Sequence, residues 1–307
     1  MTEAKAAKKR IGLIGAGLMG HGIGRNILKH DYPLTVLVHR NRKPVDDLIT
    51  GGAREARTPR ALAEASDVVF ICVTGSPQVE EVVYAAEGLL AGARLGLVIA
   101  DCSTAEPGST VKIAAEVAAK GAVFLDTPLT RTPREAEAGK LGLMTGGDER
   151  TLAEIRPILS CFADTIVHAG GVGAAHTLKL VNNFLSLGTA AVVAEAMNAA
   201  AKAGVDMQAL HDIVVAGGAN SVMFERLIKV ALADDDSAAQ FSIANARKDL
   251  RYYTNMTEKL PVVSFIGEAI HQTYLLADVM GYGQRFVPRL TDLMGELNGV
   301  KVRRNQQ

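Results

Sequence analysis

The chain has 307 residues, of which 48% are hydrophobic, so it can build a large core and lacks the composition of a disordered protein. Its 33 lysine and arginine residues equal its 33 aspartate and glutamate residues, which gives no electrostatic basis for binding nucleic acid or an anionic membrane surface. The length predicts two domains of ordinary size.

Short β-branched runs alternate with amphipathic segments through the first half of the chain. The predicted buried parallel strands are RIGLIGA, LTVLVH, DVVFICV, LGLVIAD and AVFLD. Segments between them, such as TVKIAAEVAAKG with its terminal Gly121, are predicted helices. Two later runs, KLGLMTGG and TIVHAGG, predict extra strands at the sheet edge. This alternation is typical of βαβ units in a doubly wound α/β sheet.

Strand signals stop at Gly173, and a single helical pattern of about thirty residues continues to Gly204. Further helices are predicted at MQALHDIVVAG, MFERLIKVALA, IANARKDLRYYTNMTEK and PVVSFIGEAIHQTYLLADVMG. The predicted fold class is α/β, with a doubly wound α/β domain over residues 1–170. A long helix joins it to an all-α domain over residues 171–307.

Cysteine usage and the N-terminus bear on the cellular compartment. Cys72, Cys102 and Cys161 lie far apart without paired spacing, so we expect reduced thiols, no disulfide framework and no metal site. The N-terminal KKR before IGLIGAGLMG mimics a signal peptide, but the apolar part is rich in glycine. No apolar run reaches the roughly 18 residues of a membrane span. We expect a cytoplasmic protein that does not bind membranes.

The first predicted strand is followed at once by Gly15-x-Gly17-x-x-Gly20 and by the predicted helix LMGHGIGRNILKH. In a dinucleotide-binding turn the first glycine makes the tight turn, the second admits the pyrophosphate, and the third lets the helix pack on the strand. The helix N-terminus then offers oriented N–H groups to the phosphates. A dinucleotide site is the favoured interpretation, and a glycine-rich turn packed in the core is the alternative.

The end of the second predicted strand indicates which dinucleotide binds. A carboxylate there would bind the ribose 2′-hydroxyl of NAD, but LVHRNRK contains none. Arg40 and Arg42 can instead form charge-assisted contacts with a 2′-phosphate. The sequence therefore favours NADP, with NAD as the second choice and a solvated basic turn as the structural alternative.

Two more segments follow predicted strands, at the edge where open α/β sheets bind ligands. DCSTAEPGST offers Ser103 and Thr104, and DTPLTRTP offers Thr130, Arg131 and Thr132. These residues are expected to line a cleft.

A polar stripe marks the long helix. In KLVNNFLS, Lys179, Asn182, Asn183 and Ser186 lie within about one third of the helix circumference. Buried polar groups need partners, so the stripe either faces solvent or lines a polar site. A solvated charge would be the preferred interpretation for a lone lysine, but the two asparagines favour a site.

Five ordered motifs resemble those of the β-hydroxyacid dehydrogenase family over nearly the whole chain. They are GLIGAGLMG, DCSTAEP, DTPLTRTPREAEAGKLGLMTGG, GGVGAAHTLKLVNNFLS and RKDL. The resemblance implies an N-terminal NADP-binding Rossmann dinucleotide-binding domain over residues 1–170, followed by an all-α domain for substrate binding and oligomerisation over residues 171–307. It also implies NAD(P)-dependent oxidoreductase activity on a small anionic hydroxyacid or semialdehyde, and assembly into homodimers or homotetramers.

The resemblance also assigns roles to single residues. Lys179 matches the catalytic lysine of the family, and Asn183 matches the asparagine that holds the substrate one turn later. Ser103 matches the serine that contacts the substrate acid group, Thr104 lies beside the nicotinamide, and Lys248 reaches the cleft near cofactor and substrate. A lysine ammonium suits this chemistry, because hydride transfer to an aldehyde builds negative charge on its oxygen.

The complete set of candidate residues follows from these motifs. The catalytic candidates are Lys179 and Asn183, and the substrate-binding candidates are Ser103, Thr130, Arg131, Thr132, Asn182, Ser186 and Lys248. The cofactor-binding candidates are Gly15, Gly17, Leu18, Met19, Gly20, His39, Arg40, Asn41, Val73, Thr74, Thr104 and Lys248.

One departure from the family pattern concerns the substrate. The family commonly has Ser-Gly-Gly where this chain has Thr130-Arg131-Thr132, and an arginine there adds a fork of donors and a fixed charge. With KLVNNFLS, this version is most similar to the sulfolactaldehyde reductase branch, although that branch has glycine at the position of Thr130. As a structural alternative, Arg131 pairs with Glu135 or Glu137. A second departure is GYGQRFVP, which lacks the usual aspartate.

Three functions are compatible with these patterns. The first is a dehydrogenase or reductase for a β-hydroxyacid or semialdehyde bearing a carboxylate or sulfonate, of the 3-hydroxyisobutyrate, succinic semialdehyde or sulfolactaldehyde type. The second is an imine reductase of the same fold, a class that typically lacks a lysine at position 179. The third is a non-catalytic dinucleotide-binding protein, whose signature would be loss of Lys179 or Asn183; both are present.

Overall fold

The computed structural model describes residues 8–38 and 41–303. The chain forms two compact units that divide between Lys179 and Leu180. This division falls inside the long helix, whereas the boundary expected from the sequence, between residues 170 and 171, precedes it.

The first unit contains a single mixed sheet. Its strands, within the described residues, are β1 (Ile11–Ile14), β2 (Leu34–Leu37), β3 (Arg54–Ala56), β4 (Val68–Ile71), β5 (Val98–Asp101), β6 (Val123–Asp126), β7 (Leu129–Thr130), β8 (Leu141–Gly146) and β9 (Ala163–Gly170). The order is β3-β2-β1-β4-β5-β6-β8-β7, with β9 paired to β8. Strands β1 to β6 pair in parallel, while β8 runs antiparallel to β6 and β7.

All seven strands expected from the sequence are present, including the two extra ones, β8 and β9. The sequence did not reveal β3 or β7. Strand β3 reads REA, with two charged residues and none that is β-branched, and β7 has only two residues.

Helices cover both faces of the sheet. The helices of the first unit are α1 (Gly20–Lys29), α2 (Lys43–Thr50), α3 (Pro59–Ala65), α4 (Ser76–Tyr84), α5 (Leu89–Gly92), α6 (Pro107–Ala118), α7 (Pro133–Glu137) and α8 (Glu149–Leu159). Along β4, Val68 and Phe70 pack into one core cluster, and Val69 and Ile71 pack into another. Burial on both faces explains why this strand is a continuous apolar run.

The strand order of the sheet predicts the position of a ligand-binding crevice. Neighbours of β1 are β2 on one side and β4 on the other, so the order reverses between β1 and β4. Open α/β sheets bind ligands beyond the carboxyl ends of the strands at this switch point. The glycine-rich turn follows β1 and the Val73-Thr74 pair follows β4, so both lie at that edge.

The second unit is helical in its described part. After α9 (Ala174–Lys202), which starts in the first unit, come α10 (Met207–Val215), α11 (Val222–Ala233), α12 (Ile243–Lys259), α13 (Phe265–Ala277) and α14 (Leu290–Asn298). The expected helices are present, but α13 begins at Phe265 rather than at Pro261, and α14 was not expected. Ser264 is the N-cap residue of α13, so the helix starts directly after it.

The long helix α9 contradicts the expectation that no segment is long and apolar enough for a membrane span. By length and composition alone it does meet that requirement, so this expectation was wrong. The expectation counted uninterrupted apolar runs, whereas α9 is apolar on average with polar residues interspersed. Core helices of globular proteins pass the same test, so the finding is weak evidence for a membrane.

Candidate active site

The three fingerprint glycines have different surroundings. Gly15 has φ +94°, and a side chain there would overlap the Cys72 carbonyl oxygen. A side chain on Gly20 would overlap the Gly15 carbonyl oxygen, so this glycine lets α1 start close to β1. A Cβ on Gly17 would meet no atom within 4 Å. The turn is therefore tight at its first and third glycines and open at the second, as a site for a pyrophosphate requires.

This difference predicts that alanine at Gly17 affects cofactor binding, whereas alanine at Gly20 affects stability. Gly17→Ala is expected to fold like the wild type but to weaken NADPH binding about tenfold, because the new methyl group occupies the space of the pyrophosphate. Gly20→Ala is expected to destabilise the fold by about 1–3 kcal/mol through overpacking. Thermal unfolding of the apo protein and fluorescence titration with NADPH separate the two effects. Equal NADPH affinity of wild type and Gly17→Ala would contradict a pyrophosphate at this turn.

The region after β2 is described only in part. His39 and Arg40, two of the predicted cofactor contacts, lie outside the described residues. Asn41 is exposed. The Arg42 guanidinium forms ion pairs with Asp46 at 2.9 Å and with Glu55 at 3.0 Å. Two carboxylates therefore already hold the second arginine of the basic turn.

Ser103 connects the carboxyl ends of two neighbouring strands. Its hydroxyl oxygen accepts a hydrogen bond of 3.0 Å from the Val73 backbone N–H, which follows β4. Its own backbone N–H donates to Asp101 at 2.9 Å, and the residue is buried. The structure therefore brings together Val73 and Ser103, one cofactor-binding and one substrate-binding candidate. Thr104 is half-buried beside them.

The Thr130-Arg131-Thr132 segment is tied to its own sheet. Arg131 has φ +77°, and its Nη1 donates to the Lys140 carbonyl and to Asp164, the latter at 2.8 Å. Nη2 donates to Thr165 at 3.0 Å. The Arg131 guanidinium thereby lowers the pKa of Asp164. The ion-pair partner is thus Asp164 on β9, not Glu135 or Glu137 as the structural alternative supposed.

Those two glutamates have other partners. Glu135 accepts a bond of 3.0 Å from the Thr132 backbone N–H and another from the Thr132 hydroxyl, which forms a capping box at the start of α7. Glu137 pairs with His21 at 2.7 Å. The two contacts of Glu135 fix the backbone of Thr132.

The polar stripe lies on α9 as expected. Asn183 is buried, while Lys179, Asn182 and Ser186 are half-buried. Asn183 Nδ2 donates to Asp249 Oδ2 at 2.6 Å, and its Oδ1 accepts from Asn182 Nδ2 at 3.4 Å. The carboxylate only accepts, so the amide nitrogen must face it and the amide oxygen is turned away.

Asp249 contacts two of the candidate residues and was not itself among the candidates from the sequence. It is 2% exposed, and its Oδ1 lies 2.7 Å from Lys248 Nζ, so one carboxylate joins two predicted site residues, Asn183 and Lys248. A signal was present in the sequence. Asp249 falls three residues after Ala246 and six after Ile243, both buried, so it occupies an apolar face of α12 where a charge needs a partner.

Two family models and several known proteins match this chain over most of its length. The model for the NAD binding domain of 6-phosphogluconate dehydrogenase matches residues 10–171. The model described as NAD-binding of NADP-dependent 3-hydroxyisobutyrate dehydrogenase matches residues 173–286. A solved structure, the Mycobacterium tuberculosis 3-hydroxyisobutyrate dehydrogenase with L-serine, has a TM-score of 0.85 at 23% identity and shares the fold. It covers 94% of this chain and 99% of its own.

Two relatives are similar to this chain over most of its length. The 2-(hydroxymethyl)glutarate dehydrogenase of Eubacterium barkeri is 29% identical over 95% of this chain and 97% of its own length. The 2-hydroxy-3-oxopropionate reductase of Escherichia coli (strain K12) is 33% identical over 78% of this chain and 82% of its own length. The chain therefore belongs to the β-hydroxyacid dehydrogenase family and is an NAD(P)-dependent hydroxyacid dehydrogenase.

Proposed function

We propose that the protein transfers a hydride between NADP and a small β-hydroxyacid or its semialdehyde that bears a carboxylate or sulfonate, with Lys179 as general acid and base. The observation that carries the proposal is the polar stripe on α9, where the buried Asp249 holds Asn183 at 2.6 Å. A buried, hydrogen-bonded asparagine one helical turn after a half-buried lysine suits a reaction site better than a solvated face.

The chemistry assigned to Lys179 follows from charge. A nicotinamide cofactor held at the glycine-rich turn would supply the hydride in the direction of reduction, and negative charge would then develop on the carbonyl oxygen of the substrate. The Lys179 ammonium stabilises this charge and gives up a proton to the oxygen. In the direction of oxidation the neutral amine takes the proton from the hydroxyl group.

Asn183 has an orienting role in this proposal. Because Asp249 fixes its amide nitrogen, the amide oxygen keeps one direction and retains the capacity to accept a second hydrogen bond beside that from Asn182. An acceptor fixed in this way can orient a hydroxyl or ammonium group. Lys248 is paired with the same carboxylate, and we propose that it contacts both the cofactor and the substrate.

The preference for NADP rests on the basic turn after β2. The segment HRNRK has no carboxylate, and the second family model is that of an NADP-dependent enzyme. Since Arg42 is already paired with Asp46 and Glu55, Arg40 is the arginine proposed to meet the 2′-phosphate.

A substrate screen tests the proposed function. Oxidation of NADPH and of NADH is measured with succinic semialdehyde, sulfolactaldehyde, an uncharged aldehyde of similar size and a cyclic imine. We expect turnover with an acid-bearing semialdehyde and a higher kcat/KM with NADPH. Turnover of the imine alone would instead support an imine reductase, and binding of NADPH without any turnover would support a non-catalytic protein. Equal use of both cofactors would contradict the proposed preference.

Assembly into dimers or tetramers and a cytoplasmic location stay predictions. Apolar side chains of the second unit, among them Leu185, Val192, Phe265 and Ile266, are more than half exposed in the single chain. Such exposure is compatible with contacts to another subunit.

A further inference from the structure

We infer that His176 is a positioning residue, which fixes the backbone of Ser103 from the first turn of the helix that carries Lys179. The inference rests on the proposed function, because it assigns His176 a part in aligning that site. It concerns side chains of the first unit only.

His176 is fully buried, and both of its ring nitrogens are engaged. Nε2 lies 3.2 Å from the Ser103 carbonyl oxygen, and Nδ1 lies 2.7 Å from the Thr110 hydroxyl on α6. The Ser103 carbonyl can only accept, so Nε2 carries the proton. In the neutral imidazole Nδ1 can only accept, so the Thr110 hydroxyl donates to Nδ1 at 2.7 Å rather than to the Glu106 carbonyl at 3.2 Å. This contact selects one tautomer and fixes the plane of the ring.

The peptide groups on both sides of Ser103 are held by buried side chains. Its N–H donates to Asp101 Oδ1 at 2.9 Å, and its carbonyl accepts from His176. Asp101 Oδ2 lies 3.8 Å from His176 Nε2, so the same carboxylate also faces the imidazole. Backbone groups need partners in any fold, but burying the ionisable side chains of Asp101 and His176 to bond the backbone of Ser103 costs desolvation free energy.

A second carboxylate fixes the helix end of this arrangement. Asp126 accepts hydrogen bonds from the backbone N–H groups of Gly173 and His176, each at 2.9 Å. Asp126 ends β6 and is itself fully buried. The first turn of α9 is therefore anchored to β6, and through the imidazole it is connected to the end of β5.

The consequence is a fixed geometry between Ser103 and Lys179. Lys179 follows His176 by three residues on α9, so the two lie on the same side of the helix. The Ser103 hydroxyl, which accepts from the Val73 N–H, then has one defined orientation. Loss of the imidazole would leave the chain folded around Asp126 but would allow the β5 end to shift relative to the helix.

The experiment compares His176→Leu with His176→Gln. A glutamine amide can donate to the Ser103 carbonyl and accept from Thr110, while leucine can do neither. We expect His176→Leu to lower kcat by between about tenfold and a hundredfold, because small misplacements at a reacting centre have effects of this size. The Kd for NADPH, measured by fluorescence, should change less than threefold by the same reasoning, and His176→Gln should recover most of the lost kcat.

A third variant keeps the inference falsifiable if His176→Leu does not fold. Thr110→Val removes the partner of Nδ1 with little change of shape, and it should lower kcat in the same direction but by less. Thr145→Val is the matched control, since Thr145 is equally buried in the first unit but donates to the Val167 carbonyl on β9. Its kcat should equal that of the wild type.

The outcomes separate this inference from the proposed function. If the wild type turns over no hydroxyacid or semialdehyde, the proposed function fails. If the wild type is active and the folded His176→Leu or Thr110→Val protein keeps its full kcat while only its melting temperature falls, the histidine is merely structural and the inference is wrong. Equal losses in Thr110→Val and Thr145→Val would also overturn it.

Discussion

Replacing Lys179 with alanine is expected to lower kcat by a hundredfold or more while leaving the fold and NADPH binding intact. The substitution removes the only group proposed to stabilise charge on the substrate oxygen, and loss of one such donor typically costs about 2.7–4 kcal/mol of transition-state stabilisation. The fold should persist, because Lys179 is half-buried at a helical position where alanine is a good helix former. The measurement is kcat with an acid-bearing semialdehyde, beside a thermal melt and an NADPH titration.

Two further variants sharpen the test of Lys179. Lys179→Arg keeps a positive charge but cannot release its proton, so it should remain inactive in the direction of oxidation. Lys202→Ala is the matched control, because Lys202 ends the same helix and donates to the Asn298 carbonyl at 2.9 Å in the second unit. Its kcat should not change. A Lys179→Ala protein with more than a tenth of wild-type activity would exclude this lysine as the general acid.

The parts of the fold that could be predicted are those where local pattern and tertiary packing agree. Strand β4 is buried on both faces, so its four residues are all apolar and the strand is visible in the sequence. Helix α9 ends near Gly204, which has φ +82°, and the glycine signal placed that end correctly. The glycine turn also matched, because its spacing reflects steric contacts within a few residues.

The parts that could not be predicted depend on distant partners. Strand β3 exists because β2 supplies its hydrogen bonds, and its own residues carry no β signal. The apolar face of α12 indicates that Asp249 needs a partner but not which one, and His176 was overlooked for a similar reason. Each is a polar residue whose meaning comes from a partner far away in the chain, Asn183 for the aspartate and Ser103 for the histidine.

Arg131 has both a sequence feature and structural contacts that suit the binding of an acid group. The sequence identified it as a charge where the family has glycine, and the structure shows its guanidinium paired with Asp164 and Thr165. A guanidinium has five N–H donors. The described contacts use two on Nη1 and one on Nη2, so Nε–H and one Nη2–H lack a partner among the residues described. These two donors are enough for a bidentate contact with an acid group.

Arg131→Gly is therefore expected to lower kcat/KM for acid-bearing aldehydes about tenfold to a hundredfold, from the loss of a charged hydrogen bond of about 1.5–3 kcal/mol. The loss for an uncharged aldehyde of similar size should be much smaller. Glycine tolerates the φ of +77° at this position, so backbone strain does not contribute. The measurement is kcat/KM for sulfolactaldehyde, succinic semialdehyde and the neutral aldehyde.

Asp164→Asn separates the two roles of Arg131, because it removes the ion pair and leaves the guanidinium in place. If Arg131 binds the acid group of the substrate, this variant should keep the selectivity for charged aldehydes, although the ion pair that connects the residue after β7 with β9 is lost. If Arg131 only supports the sheet edge, Asp164→Asn should reproduce the loss seen in Arg131→Gly, and that loss should be equal for charged and neutral aldehydes. In that case the acid group of the substrate must be bound elsewhere, and the assignment of a sulfonate or carboxylate to Arg131 would have to be abandoned.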